Sequence, residues 1–237
     1  MKVLGIIPAR YASTRFPGKP LIDILGKTMI QRVYEQCLKC AFLDDIIVAT
    51  DDNRIFNHVN SFNGSAIMTS KNHHSGTDRC NEVINNIQKK YDIIVNIQGD
   101  EPFINSEQID HVVSLFDSNE IKITTLAKKI TDMKILQDIN IVKTIFDKNG
   151  IAQDFCRSIN HSGLITNWFK HVGIYGYRSY ILNEICKLEP SKNEKKESLE
   201  QLRWLDNNIE IKVGITAYES ISVDTPEDIE KIKGHIR

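Results

Sequence analysis

Apolar positions along the chain fall into two patterns. Near-continuous or alternating apolar runs of strand length occur at residues 3–7, 46–50, 93–97, 123–127, 142–146, 171–177 and 210–217. Between them, apolar residues recur at helical spacing over 28–41, 53–61, 78–89, 106–117, 179–187, 195–207 and 226–236. In the first of these helices Met29, Val33, Cys37 and Leu38 form the expected core-facing stripe. Ser106 is placed to cap its helix, and Pro226, after Thr225, suits a first turn. Strand and helix alternate through the first half. This predicts an α/β fold with a mainly parallel sheet, right-handed crossovers and helices on both faces. The chain shows no internal repeat and no low-complexity linker. Residues 149–170 are polar and irregular and read as a loop or a dimer arm, and 192–197 reads as a solvated helix start.

Composition narrows the class. Of 237 residues 41% are hydrophobic and 26% charged, with a formal net charge of −1. That balance argues against a general nucleic-acid binder or a membrane-surface protein. No apolar stretch approaches the roughly 20 residues of a membrane span. The first residues enter a strand at once, so no signal peptide is expected. Five cysteines, an odd number at low density, fit a reducing cytoplasm. Cys37 and Cys40 form a CxxC inside a helical pattern with no second pair, which makes them ordinary helix positions rather than a metal or redox site.

Candidate chemistry begins where the first strand ends. Residues 8–21 carry Pro8, Pro17, Gly18 and Pro20, which forbid helix and central strand, and three fixed cations, Arg10, Arg15 and Lys19, with Ser13 and Thr14 between them. A basic loop at the carboxyl end of a first strand is where an open α/β sheet takes its ligand. Guanidinium forks and a lysine point charge suit a nucleoside triphosphate. Gly18-Lys19 is followed by proline and no GxGxxG occurs, so this is neither a Walker A loop nor a dinucleotide fingerprint.

Two acids are candidate metal ligands. Asp100 leaves the apolar strand 93–97 in Gln98-Gly99-Asp100-Glu101-Pro102, and Asp224 precedes the last helix. Carboxylates with triphosphate oxygens form the oxygen set that Mg²⁺ takes; taken singly, Asp100 reads equally as a turn residue and Asp224 as a helix cap. Ser75, Gly76 and Thr77 offer backbone donors at a helix start, with Asp78 and Arg79 either beside them or buried as a pair. Alternation puts His171, Gly173, Tyr175 and Tyr177 on one strand face, lining a sugar pocket or filling a core. Glu200 and Gln201 add polar groups on a helix. Most of His58, His73, His74, His111, His161 and His235 read as ordinary solvated histidines.

Together these residues resemble the 3-deoxy-D-manno-octulosonate (Kdo) cytidylyltransferases, also called CMP-Kdo synthetases. The blocks that carry the resemblance are IPARYASTRFPGKPL at 7–21, VATDD at 48–52, HSGTDR at 74–79, NIQGDEP at 96–102, HVGIYGYR at 171–178, LEQLRWL at 199–205 and VDTPEDIE at 223–230. The resemblance implies a nucleotide-diphospho-sugar transferase Rossmann-like fold over residues 1–237, with a small dimerisation or sugar-binding insertion at roughly 130–178. It implies transfer of CMP from CTP to the anomeric C2 hydroxyl of Kdo, release of pyrophosphate, use of Mg²⁺, a cytoplasmic homodimer and a place in lipopolysaccharide synthesis. Residue by residue, Ala9, Arg10, Ser13, Arg15 and Lys19 match the nucleotide-binding loop. Ser75, Gly76, Thr77, Arg79 and Gln98 match nucleotide contacts. Asp100 and Asp224 match metal ligands and, with Arg15 and Lys19, the catalytic set. Gln98, Arg157, His171, Tyr175, Glu200 and Gln201 match the sugar side, where Arg157 would pair with the sugar carboxylate.

One stretch departs from the family pattern. After Asp154-Phe155-Cys156-Arg157-Ser158 the family's Ile-Pro pair and longer basic loop are replaced by Ile159-Asn160-His161-Ser162-Gly163 and a short run to Lys170. Cys156 and Asp154 stand where Ser and an aromatic residue are usual. A variant acid sugar, such as 8-amino-8-deoxy-Kdo or less readily sialic acid, is the alternative substrate. A non-catalytic CTP-binding protein is the alternative from another class.

Overall fold

The computed structural model describes residues 1–12, 16–159 and 168–229. These fall into two units, Met1–Asp110 with Ser220–Arg237, and His111–Glu219. The span 130–178 lies within the second.

In the first unit the chain runs through β1 (Val3–Ala9), the hairpin β2 (Asp23–Ile24) and β3 (Lys27–Thr28), α1 (Met29–Cys37), β4 (Asp45–Thr50), α2 (Asn53–Ser61), β5 (Ala66–Met68), α3 (Gly76–Asn86), β6 (Ile93–Asn96) and α4 (Ser106–Ser114), whose last turn belongs to the second unit. β1 is central, with β4 and β6 parallel on its two sides and β5 parallel beyond β4. Val3, Leu4, Ile6 and Ile7 are all buried. Because neighbouring residues point to opposite faces, both faces of β1 are covered, as a parallel sheet requires. The carboxyl ends of β1 and β6 therefore present Ala9-Arg10 and Gln98-Gly99-Asp100 at the same edge.

The second unit runs through β7 (Ile123–Lys129), α5 (Met133–Gln137), β8 (Lys143–Phe146), β9 (Ala152–Cys156), β10 (Phe169–Arg178), α6 (Ser179–Ile185), α7 (Lys192–Glu197), α8 (Gln201–Asp206) and β11 (Ile211–Ile215). Here the sheet is mixed. β7 lies between β11, parallel to it, and β10, antiparallel to it, while β10 also pairs with β8 and β8 with β9, both antiparallel. Between Val172 and Tyr175 the register of β10 jumps by two extra residues, so His171, Tyr175 and Tyr177 stay opposite Ala127, Thr125 and Ile123 and keep one face. The architecture is the expected mixed, mainly parallel α/β fold with helices.

Several local expectations need correction. Pro8 lies inside the central strand β1: there the register runs on against β4 (Pro8 opposite Ala49) after that with β6 has ended at Ile6, so the missing N–H interrupts no pairing on the β6 side. α1 stops at Cys37: Ala41 and Phe42 donate their backbone N–H groups to the Asp110 carboxylate, both at 3.0 Å, rather than to a further helical turn. Met29, Val33 and Cys37 are buried, but Leu38, one residue round the helix, is exposed. Ser106 is the first helical residue of α4, and the cap is Asn105, whose side chain accepts from Glu107 N at 2.8 Å. The single helix expected at 195–207 is two, because Ser198 adopts a left-handed conformation (φ 54°) between them. The irregular stretch 149–170 contains β9; the rest of it, at 160–167, and the last helix beyond residue 229 lie outside the described residues. His58 and His73 are bonded rather than merely solvated, to Thr28 Oγ1 and to Glu82.

Candidate active site

The loop after β1 is closed at its neck. Gly18 N donates to Tyr11 O at 2.9 Å, and Gly18 takes a left-handed φ of 73°. A side chain there would be strained and would meet the Tyr11 ring at 3.1–3.3 Å, so this position needs glycine. Arg54 stacks on Tyr11, with its guanidinium carbon 3.3 Å from the ring centroid, and forks onto Asp52 at 2.9 and 2.7 Å. Ser13 and Arg15, expected nucleotide contacts, lie outside the described residues, with Thr14. Ala9 is buried at the end of β1 and Arg10 is exposed.

A short 3-10 turn, Lys19–Leu21, follows and anchors itself through buried Pro20. From it the Lys19 ammonium reaches Asp100 Oδ2 at 2.8 Å, the carbonyl of Val223 at 2.8 Å and Asp224 Oδ1 at 3.5 Å. The two acids lie 124 positions apart in sequence, yet both stand within ion-pair reach of one nitrogen. Backbone pairing enforces this, since Val223 N donates to Asp100 O at 2.9 Å. Beneath them Ile24, Met29, Val223 and Ile229 form a buried cluster, packed against Phe16, Ile22, Phe103 and Ile221. Val223, beside Asp224, and Phe103, three residues past Asp100, belong to this packing, while both carboxylates stay partly exposed. Asp228 caps the last helix by accepting from Asp224 N and Thr225 N, which orders the segment bearing Asp224. No group of three or more His, Cys, Asp or Glu side chains that could hold a metal occurs among the described residues. The pair Asp100 and Asp224 suits an ion that takes one or two protein carboxylates and completes its shell from phosphate and water.

Two glycines let this edge form. A Cβ on Gly99 would lie 2.7 Å from Pro8 O, and one on Gly76 would lie 3.2 Å from Asn96 Nδ2 and 3.4 Å from Pro8 Cγ. Gly76 opens α3, which Ser75 caps reciprocally with Asp78, each at 3.1 Å. The Asp78–Arg79 pair weighed from the sequence does not form. Arg79 is 1% exposed, bound to Asp51 Oδ2 at 3.0 Å and to Thr69 Oγ1. Sequence reasoning missed Asp51 and Thr69; the only available signal was Thr50-Asp51-Asp52 at the end of β4.

In the second unit the sugar-side candidates sit in an aromatic group. His171 lies edge-on to Phe155 (centroids 5.1 Å apart) and 5.4 Å from Tyr175; Tyr175 stacks on Tyr177, and Trp204 meets both tyrosines edge-on at 5.2 and 5.7 Å. His171 Nε2 and Thr125 Oγ1 are 3.0 Å apart. Burial disfavours the imidazolium and pulls the His171 pKa down to about 3. Burial, with the Glu200 charge second, pushes the Tyr175 phenol well above its usual value. The Tyr175 hydroxyl and Trp204 Nε1 are buried without a hydrogen-bond partner. Gln201 is buried and Glu200 half-buried, at the start of α8. Arg157, just past β9, donates through Nε to Glu197 O at 3.0 Å, while its Nη1 contacts with Ile139 O and Asn140 O are long, at 3.5 Å. The buried Lys143 fixes the backbone here by donating to Arg157 O at 2.7 Å. All five cysteines are free, and burial raises Cys40 to about 12 and Cys156 to about 11, so neither is a ready thiolate.

The family model described as Cytidylyltransferase matches residues 4–211. The chain is similar to the 3-deoxy-manno-octulosonate cytidylyltransferase of Parabacteroides distasonis, 51% identical over 98% of this chain and 96% of that one. It is similar to the enzyme of the same name from Bacteroides thetaiotaomicron, 48% identical over 97% and 96%. Among solved structures it resembles a CMP:2-keto-3-deoxy-manno-octonic acid synthetase complexed with CTP, with a TM-score of 0.93 and 39% identity over 100% of this chain and 98% of that one.

Proposed function

Since the chain belongs to the 3-deoxy-manno-octulosonate cytidylyltransferase family, we propose that it transfers CMP from CTP to the anomeric C2 hydroxyl of 3-deoxy-manno-octulosonate and releases pyrophosphate. The observation that carries this reading is the meeting of Asp100 and Asp224 at the Lys19 ammonium, at the loop that follows β1. An enzyme that moves a nucleotidyl group has little covalent work to do. It must hold the attacking hydroxyl in line with the leaving pyrophosphate and neutralise the charge that develops.

In this reading the C2 oxygen forms a bond to the α-phosphorus while the bond to the bridging oxygen of pyrophosphate breaks opposite it. Arg10 and Lys19, with Ser13 and Arg15 of the same loop, take the triphosphate. The Ser75 hydroxyl, the backbone donors of Gly76 and Thr77 and the side chain of Gln98 serve the nucleoside, the Ser75 N–H being held by Asp78. Arg79 works through position: held by Asp51 and Thr69, it stiffens the start of α3. Asp100 and Asp224 are the residues that would hold Mg²⁺, which when bound supplies charge neutralisation at the phosphates and eases loss of the hydroxyl proton. Arg157 takes the sugar carboxylate as a fork, while His171, Tyr175, Glu200 and Gln201 serve its hydroxyls. His171 does so as a neutral ring. The product is an activated acid sugar for lipopolysaccharide synthesis, made by a cytoplasmic homodimer in which residues 130–178 contribute to the dimer or the sugar site. Among the described residues no helix is long and apolar enough to cross a membrane.

Pyrophosphate release from CTP and Mg²⁺ is the test, with 3-deoxy-manno-octulosonate, its 8-amino-8-deoxy analogue and sialic acid compared side by side. The first sugar should give the highest kcat/KM. Faster turnover of the 8-amino analogue would reassign the substrate. CTP binding without pyrophosphate release on any of the three would end the catalytic reading.

A further inference from the structure

We infer that Lys19 is the resident counter-ion of the Asp100–Asp224 pair, and that it must be drawn away before a divalent cation can occupy those acids. Metal binding then follows nucleotide binding rather than preceding it. This rests on the reading of the two acids as metal ligands.

An ammonium has three donors and no acceptor. Those of Lys19 face Asp100 Oδ2 and Val223 O at 2.8 Å each, and Asp224 Oδ1 at 3.5 Å. Its side chain is only 13% exposed, against 28% for Asp100 and 42% for Asp224, so the cation is the most enclosed member of the cluster. Each acid has one carboxylate oxygen within ion-pair reach of the ammonium. A divalent cation brought there would face a positive charge a few ångströms away, and the repulsion is only partly screened at a half-buried site.

The release is built into the same loop. Left-handed Gly18, its bond to Tyr11 O and buried Pro20 fix the Lys19 backbone. The four-carbon stem has rotatable bonds of its own, so the ammonium can change partner without moving that backbone. A triphosphate offers the ammonium several charged oxygens in exchange for two carboxylates. Once the ammonium moves to them, the pair loses the positive charge that Lys19 holds against it. Nucleotide and metal are thereby coupled through one side chain, and the coupling must be reciprocal. Lys19 is in this role a positioning residue for the metal, in addition to its contact with phosphate.

Titration of the nucleotide-free chain with Mn²⁺, reading free ion by electron paramagnetic resonance, tests this without turnover. Lys19→Met should bind Mn²⁺ at least about tenfold more tightly than the unaltered chain, the effect of removing one like charge beside the ion. Lys19→Arg, which keeps the charge, should bind no more tightly than the unaltered chain. The gain should vanish when Asp100→Asn is added to Lys19→Met. Equal or weaker binding by Lys19→Met, or a gain that survives Asp100→Asn, overturns the inference. Circular dichroism checks folding, and Lys19→Gln, which drops the charge but keeps a donor, replaces the methionine variant if that one does not fold. Pyrophosphate release by the unaltered chain separates this from the transfer reading. A chain that turns over without the Lys19 effect loses only the counter-ion role. A chain that gains Mn²⁺ affinity without turning over loses only the transfer reading.

Discussion

In the first unit, candidate groups are held by charge: Lys19 between two carboxylates, Arg79 on Asp51, Arg54 on Asp52. In the second unit the aromatic candidates are held by packing: His171 and Tyr175 are fixed ring against ring beside Trp204, and the Tyr175 hydroxyl and Trp204 Nε1 are buried without a hydrogen-bond partner. The contrast follows what each side is proposed to bind. A triphosphate is recognised by formal charge, and the protein keeps that charge in order with opposite charge until the ligand arrives. An acid sugar is recognised by its carboxylate, for which Arg157 is proposed, and otherwise by shape and hydroxyls, which preformed aromatic walls with a few inward polar groups suit. Substitutions of these particular groups should therefore act through electrostatics in one unit and through packing or solvation in the other.

The largest effect is expected at Asp100. Asp100→Asn keeps the shape and removes the charge that pairs with Lys19 and that the proposed Mg²⁺ would use. kcat should fall about 10²–10³-fold, the scale of losing one charge-stabilising group in a transition state. The KM for the acid sugar should move little and the circular dichroism spectrum not at all. A fall in sugar affinity with kcat preserved would place Asp100 on the wrong side of the comparison.

Gly99→Ala should come next and should be read in stability, not chemistry. The added methyl meets a backbone carbonyl, Pro8 O, at 2.7 Å, which cannot rotate aside. Overpacking of this kind costs about 1–3 kcal/mol, and contact with backbone puts it near the upper end. Urea unfolding should show a lower midpoint with an unchanged slope. An unaltered midpoint would mean that the end of β1 yields freely, and the rigid edge attributed to the first unit would be wrong.

How far the sequence reveals all this depends on the signal each part leaves. β1, β4, β6, β7 and β10 were legible because buried strands are long apolar runs. β5, at three residues, and the hairpin β2–β3, at two residues a strand, are too short to show a period. β9 was read as loop because Gln153 and Asp154 face outward in its middle. The break at Ser198 has neither glycine nor proline to announce it. In the site, Asp100 and Asp224 were legible as acids at the ends of apolar segments, but their meeting at Lys19 depends on a backbone bond between Val223 and Asp100. Asp51 as the partner of Arg79 could not be foreseen, since a charge pair 28 positions apart has no spacing rule.

The smallest effect separates the units by pH. His171 has an ordinary pKa of 6.5 when unfolded and about 3 when folded, because burial disfavours its charged form. Below pH 6.5 the unfolded chain binds a proton that the folded chain refuses, so stability must fall as pH falls, and the loss continues until about pH 3. Between pH 7 and pH 5 this one ring should remove about 2 kcal/mol. His171→Gln cannot take up that proton in either state. Its denaturant midpoint should fall less over the same interval than that of the unaltered chain, whatever its stability at pH 7. Glu219, whose pKa is lowered by Lys128 and Lys170 against the opposing effect of burial, titrates below this window and leaves the difference intact. Equal slopes in the two proteins would mean that the folded ring accepts a proton near neutrality. The aromatic group of the second unit would then contain a titrating cation, and its contrast with the groups around Lys19 would fail.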